Sequence, residues 1–91
     1  MRLSIPEGVI FETVDDQVVL LSLEGGSYYK LNGSGSRIWA LIQEHGDLDK
    51  VEQVMVGEYD ADPHQIRRDI AALVEDLRAH GLIEADQPSP R

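Results

Sequence analysis

The sequence predicts an α+β domain: a three-stranded antiparallel meander followed by three helices. The apolar pattern changes period near residue 33, strand-like before it and helical after it. The links between the first three apolar runs are so short that successive strands must fold back as hairpins. A meander this small is not stable alone, so the helices must cover its apolar face.

Val9 to Val14 (V-I-F-E-T-V) is rich in β-branched residues and reads as the first strand. Asp15-Asp16-Gln17 is a polar turn. Val18 to Leu23 is the second strand, Glu24-Gly25-Gly26 a second turn, and Ser27 to Leu31 (S-Y-Y-K-L) the third strand. Asn32-Gly33-Ser34-Gly35 ends the sheet, with Asn32 or Ser34 as the N-cap of a helix. That helix carries Ile38, Trp39, Leu41 and Ile42 on one face and stops near Gly46. Asp47 caps a second helix with a stripe of Leu48, Val51, Val54, Met55 and Tyr59. Asp62-Pro63-His64-Gln65 opens the third helix as an N-cap acid, a proline at N1 and a capping-box Gln at N3. Ile66, Ile70, Leu73, Val74 and Leu77 line its apolar face. Arg78 and His80 suit the negative end of its dipole, and Gly81 before Leu82 suits a Schellman stop.

Ninety-one residues bury one core, so one domain is expected over residues 1–85, with a disordered tail over 86–91 that begins Asp86-Gln87-Pro88. The chain has no cysteine, which excludes disulfides and thiolate metal sites. Pro6, Glu7 and Gly8 follow the first five residues where a signal peptide would need an apolar segment, and a cytoplasmic location is expected. Unbroken apolar runs, among them Val18 to Leu21, never exceed five residues, far below the ~20 residues of a membrane span. Seventeen acids against eight bases leave a net charge of −9. Nucleic acid is therefore a poor partner, because phosphate neutralisation needs clustered Lys and Arg. An acidic surface steers basic partners instead.

No motif carries catalysis, and the chain is expected to be non-enzymatic, with no cofactor and no metal. His45, His64 and His80 lie at predicted helix ends and form no i,i+4 metal pair. Ser34 and Ser36 sit in a Gly-rich turn that lacks the Gly-Lys-Ser/Thr of a phosphate loop. The acid pairs Asp47/Asp49 and Asp60/Asp62 flank helix starts, where carboxylates are favoured anyway.

The third strand is the physical lead. Its edge presents unpaired N–H and C=O groups, and Lys30 alone blunts it. An extended peptide could add there by β-augmentation, beside the wide apolar stripe of the third helix. Homodimerisation through the same edge would leave the same pattern.

Glu24-Gly25-Gly26-Ser27-Tyr28-Tyr29-Lys30-Leu31-Asn32 followed by Ile38-Trp39 resembles the G-x-Y-Y-x-L-N … I-W core of PqqD-like proteins. Asp69-Ile70, Leu73, Leu77 and Gly81-Leu82-Ile83 resemble that family's ending, with Leu73 where Phe is common. The resemblance covers residues 5 to 84. It implies a winged helix-turn-helix-like fold, the RiPP recognition element, which binds the leader segment of a ribosomally made precursor peptide. It further implies backbone pairing along Ser27, Tyr28, Tyr29, Lys30 and Leu31, with side-chain contacts from Asp69, Leu73, Asp76 and Leu77. A stand-alone chain with the Tyr-Tyr pair is most similar to the recognition protein of lasso-peptide pathways. Such a protein partners a separate leader peptidase of cysteine-protease type and a downstream cyclase. His45-Gly46 stands where chaperones of pyrroloquinoline quinone precursors more often carry Asp-Gly. A DNA-binding winged-helix regulator is the rival of another class; Arg67, Arg68 and Arg78 favour it, and Asp69, Glu75 and Asp76 offset them.

Overall fold

A computed structural model describes residues 1–86. Along these residues run β1 (Arg2–Ser4), β2 (Val9–Val14), β3 (Gln17–Ser22), β4 (Tyr28–Asn32), α1 (Ser34–His45), α2 (Leu48–Glu58), α3 (Pro63–Ala79) and β5 (Glu84–Asp86). The meander is antiparallel, in the order β2-β3-β4. Its first turn is shorter than expected. Val14 pairs with Gln17, so Gln17 belongs to β3, and Asp15 takes the positive φ of 59° that this tight hairpin requires. In the second link the Ser22 amide donates to the Ser27 carbonyl (2.8 Å) and the Gly26 amide to the Ser22 carbonyl (2.7 Å). Gly26 supplies the positive φ there.

Alternation sorts the sheet into two faces. Val9, Val18, Leu20, Ser22 and Leu31 are buried on the inner face, and Tyr29 is half-buried among them. The helices cover that face. Trp39 of α1 is fully buried, with the Phe11 ring edge-on at 5.4 Å. Leu41, Ile42, Val51, Ile70, Leu77, Leu82 and Ile83 complete the centre of the core.

Three local expectations are corrected. The residue before α1 is Gly33, at φ 57° and ψ −127°, with no side-chain cap; Asn32 ends β4 and Ser34 is already helical. The chain must reverse sharply out of β4 through a positive φ, which Gly accepts and Asn or Ser accepts poorly. The capping box does not close: the Asp62 carboxylate accepts from the His64 amide (3.0 Å), but Gln65 reaches forward to Asp69 (2.9 Å) rather than back. An acceptor four residues ahead on the same helix face competes for the amide. The third correction is a second sheet. β1 pairs with β5, Arg2 with Asp86 and Ser4 with Glu84, and β1 also bridges to Asp47. β5 includes Asp86, the first residue of the expected tail; residues 87–91 of that tail lie outside the described residues.

The other caps follow the sequence. Asp47 accepts from the Asp49 amide (3.1 Å), and Gly46 ends α1 in the left-handed region. α3 ends in a full Schellman motif: the Leu82 amide donates to the Leu77 carbonyl (2.9 Å) and the Gly81 amide to the Arg78 carbonyl (3.0 Å). This stop turns Leu82 and Ile83 into the core and sends β5 back to β1. Among the described residues no helix is long and apolar enough to cross a membrane, and no cluster of three or more His, Asp or Glu is placed to hold a metal.

Two glycines are expected to respond in opposite directions. Gly81 sits at φ +74°, so Gly81→Ala should destabilise by about 1 kcal/mol. Gly57 lies in α2 with open space where a Cβ would stand, so Gly57→Ala should stabilise by about 0.5–1 kcal/mol. Urea unfolding of the two variants measures both.

Candidate functional site

β4 is an outer strand of the meander, and its hydrogen-bonding phase fixes what it offers to solvent. The Ser22–Ser27 bond identifies the hydrogen-bonded pairs of β3 and β4 as Ser22/Ser27, Leu20/Tyr29 and Val18/Leu31. The Leu23 amide donates to the Gly8 carbonyl, placing the β2 bonds on the other residues of β3, as the alternation demands. Tyr28 and Lys30 therefore direct their N–H and C=O groups away from the sheet, along an edge that no other described strand pairs. Their side chains lie on the outer face, where Tyr28 is 63% exposed.

α3 runs beside this edge. Asp69, Leu73, Asp76 and His80 recur at spacings of four, three and four, so they share one face of the helix. That face looks across a groove to β4. At one end Tyr29 spans the gap: its hydroxyl donates to Asp76 Oδ2, and its ring stands edge-on to the His80 ring at 5.4 Å. In the middle, Leu31, Gly35 and Leu73 converge; a Cβ on Gly35 would lie 3.4 Å from Leu31 Cδ2 and 4.0 Å from Leu73 Cδ2. At the other end Asp69 and Ser34 border a cavity of about 180 Å³, with Ile38, Met55, Tyr59, Ile66 and Ile70 in its wall. β4 and α3 thus run in opposite directions along the groove. A larger, polar concavity of about 570 Å³ lies between β5, Arg78 and Glu24; none of Asp69, Leu73, Asp76 and His80 lines it, so it is not part of this groove.

The expected site residues divide clearly. Ser27, Tyr28, Tyr29, Lys30 and Leu31 form the edge segment, while Asp69, Leu73 and Asp76 border the groove. Leu77 is 0% exposed and packs wholly in the core; it lies on the buried row Ile66, Ile70, Val74, Leu77 rather than the groove row. The Leu31 side chain is buried too, which leaves the open edge to the backbone of its neighbours. The cavity was missed because its wall combines all three helices, and no single stripe reveals that. Tyr59, the last apolar residue of the α2 stripe and exposed at its C-cap, was the available signal.

Electrostatics favour a cationic guest. Asp69 and Asp76 face the groove. The arginines of α3 are engaged with acceptors: Arg67 with Glu52 (4.0 Å), Arg68 with Gln65 (3.2 Å) and Arg78 with Glu75. The hydrogen bond to Asp76, reinforced by desolvation and by the carboxylate charge, raises the Tyr29 phenol above its ordinary pKa of 10.0. A group whose folded pKa is raised stabilises the fold below its unfolded pKa and loses that contribution as pH climbs through the folded value. The absorbance difference between wild type and Tyr29→Phe should thus show a phenol ionising above pH 10, with the stability gap between them narrowing only in that alkaline range.

The family model for coenzyme PQQ synthesis protein D (PqqD) matches residues 17–83. The solved structure of TbiB1 in complex with the TbiA(beta) leader peptide is similar over 93% of this chain and 99% of its own, at 32% identity and a TM-score of 0.85. A lasso peptide synthetase B1 complexed with the leader peptide is similar over 93% of this chain and 100% of its own, at 26% identity and a TM-score of 0.81. No curated protein sequence matches the chain. A match across β3, β4 and all three helices identifies this chain as a member of the PqqD family.

Proposed function

We propose that the protein binds the leader segment of a ribosomally synthesised precursor, a lasso peptide, as a fourth strand on β4, and presents it to a separate leader peptidase and a downstream cyclase. The observation that carries the reading is the β4 edge, unpaired among the described residues, facing a groove walled by α3. Backbone bonds to Tyr28 and Lys30 supply affinity in any extended peptide. The cavity beyond Asn32 takes an apolar anchor, Leu73 lines the middle, and Asp69 at the cavity mouth suits a nearby lysine or arginine. A short strand with two or three anchors would bury about 1,000 Å² in total, at the small end of specific interfaces. Dissociation constants of about 10 nM to 1 µM correspond to roughly −11 to −8 kcal/mol. Both similar structures carry a leader peptide, which supports this reading.

Presentation needs a second surface, and the outer face of the meander suits it. Ile10, Leu21 and Tyr28 stand opposite one another across three strands, and all three are exposed. Leu23, at 60% exposure, extends the row. An apolar row of this kind on a monomer marks an interaction surface. Tethering the peptide while docking the peptidase raises the effective concentration of the cleavage site, so the adaptor needs no chemistry of its own. The matched family model supports a second reading within the same mode, a chaperone for the precursor of pyrroloquinoline quinone; affinity for the two classes of precursor separates them.

Lys30→Pro removes an N–H aimed at the free edge and leaves the β3 ladder intact. It should weaken binding of a fluorescent TbiA(beta) leader peptide or a cognate leader at least tenfold, with an unchanged circular dichroism spectrum. Leu73→Glu should do the same by placing a charge in the groove. Normal binding by both folded variants would show that the groove is misplaced. Leu21→Asp on the outer face should leave peptide affinity within twofold while slowing leader cleavage by the cognate peptidase.

A further inference from the structure

We propose that the Tyr29–Asp76 bridge is a register gate: it admits only a small peptide side chain beside Tyr29, and so determines which peptide residue reaches the cavity at the far end. This rests on the strand-addition reading and deepens it to a sequence rule for the ligand.

A strand laid on β4 projects alternate side chains to the inner face, about 6.8 Å apart. One falls beside Tyr29, the next beside Leu31 and the third past Asn32, near Ser34. The groove differs at these three places. Beside Tyr29, the space toward α3 is taken by the phenol, the Asp76 carboxylate and the His80 imidazole. These groups are fixed by one another. The Tyr29 hydroxyl donates to Asp76 Oδ2, and His80 Nδ1 lies 3.5 Å from Asp76 Oδ1. The same Nδ1 sits 2.8 Å from the Asp76 carbonyl, which can only accept, so the ring nitrogen donates and the imidazole is held in place. At the third place lies the open cavity of about 180 Å³.

The groove is therefore closed at one end and open at the other. The peptide should carry a small residue and a large apolar residue four positions apart, in either chain direction. A slip by one residue turns every side chain to the wrong face, and a slip by two takes the large residue out of the cavity. Asp76 accordingly acts as a positioning residue: both of its oxygens are turned to the protein's own groups.

A phage-displayed library of random twelve-residue peptides, selected on immobilised wild type, Tyr29→Ser and His80→Ala, tests this. Wild type should enrich Gly, Ala or Ser four positions from Leu, Ile, Phe, Tyr or Trp. Tyr29→Ser, confirmed folded by circular dichroism, should accept Leu or Phe at the small position. On that variant, resynthesised peptides of that kind should bind at least as tightly as small-residue peptides, whereas wild type should favour the small-residue peptides at least tenfold. His80→Ala removes an exposed wall of the gate and should shift selection the same way; it decides the matter if Tyr29→Ser does not fold. Enriched peptides without the four-residue spacing, or an identical preference in the folded variants, would overturn the gate alone. Failure to enrich any peptide on folded wild type would overturn strand addition and the gate with it.

Discussion

The molecule is organised around backbone hydrogen-bonding groups that none of its described residues pairs. Tyr28 and Lys30 point theirs along the rim of β4, and an edge of this kind is ordinarily a liability. Here α3 stands beside the rim instead of covering it, leaving room for one further strand. The affinity available from that strand comes from main-chain groups and is blind to sequence. In the proposed mode selectivity would come from the walls: the α3 face bearing Asp69, Leu73, Asp76 and His80, and the cavity shared by the three helices.

Holding α3 at that distance takes constraints at both of its ends. At the start, Asp62 caps the helix and Pro63 presets its first turn. At the end, the Schellman motif at Gly81 buries Leu82 and Ile83 and delivers β5 to β1. β1 is held in turn by the α1–α2 link, where the Leu3 amide donates to the Gly46 carbonyl and the Leu48 amide to the Met1 carbonyl. The small sheet thus ties the end of α3 to the start of α2 on the flank away from the groove. Tyr29 is the tie on the groove flank. With α3 fixed on both sides, the groove is formed before any ligand arrives, which limits the ordering entropy that binding must overcome.

The meander, the three helices and most of their ends were legible because each rests on local chemistry: period, turn residues, caps. β1 and β5 were not, because three-residue strands carry no detectable alternation and their pairing joins opposite ends of the chain. The Gly33 cap was hidden behind better-known cap residues on either side, and the geometry of leaving β4 decided between them. Leu73 and Leu77 show a deeper limit. Both fit one apolar stripe, yet 40° of helix rotation separates a groove wall from a core residue, and only the position of the neighbouring strand tells them apart.

Two aspartates that look alike in sequence differ in their surroundings. Asp69 and Asp76 both lie on the groove face of an acidic protein, and composition alone would assign both to reading a cation. Asp76 stands level with Tyr29 and takes its hydroxyl, which draws the carboxylate into the frame of the groove. Asp69 stands two turns earlier, level with Ser34 at the mouth of an apolar cavity, with one oxygen held by Gln65. In the proposed complex, a peptide side chain with an apolar stem in that cavity and a donor at its tip would meet Asp69 and not Asp76. In that complex the net charge of −9 would draw a basic ligand from a distance, and the register of α3 against β4 would decide which acid it meets.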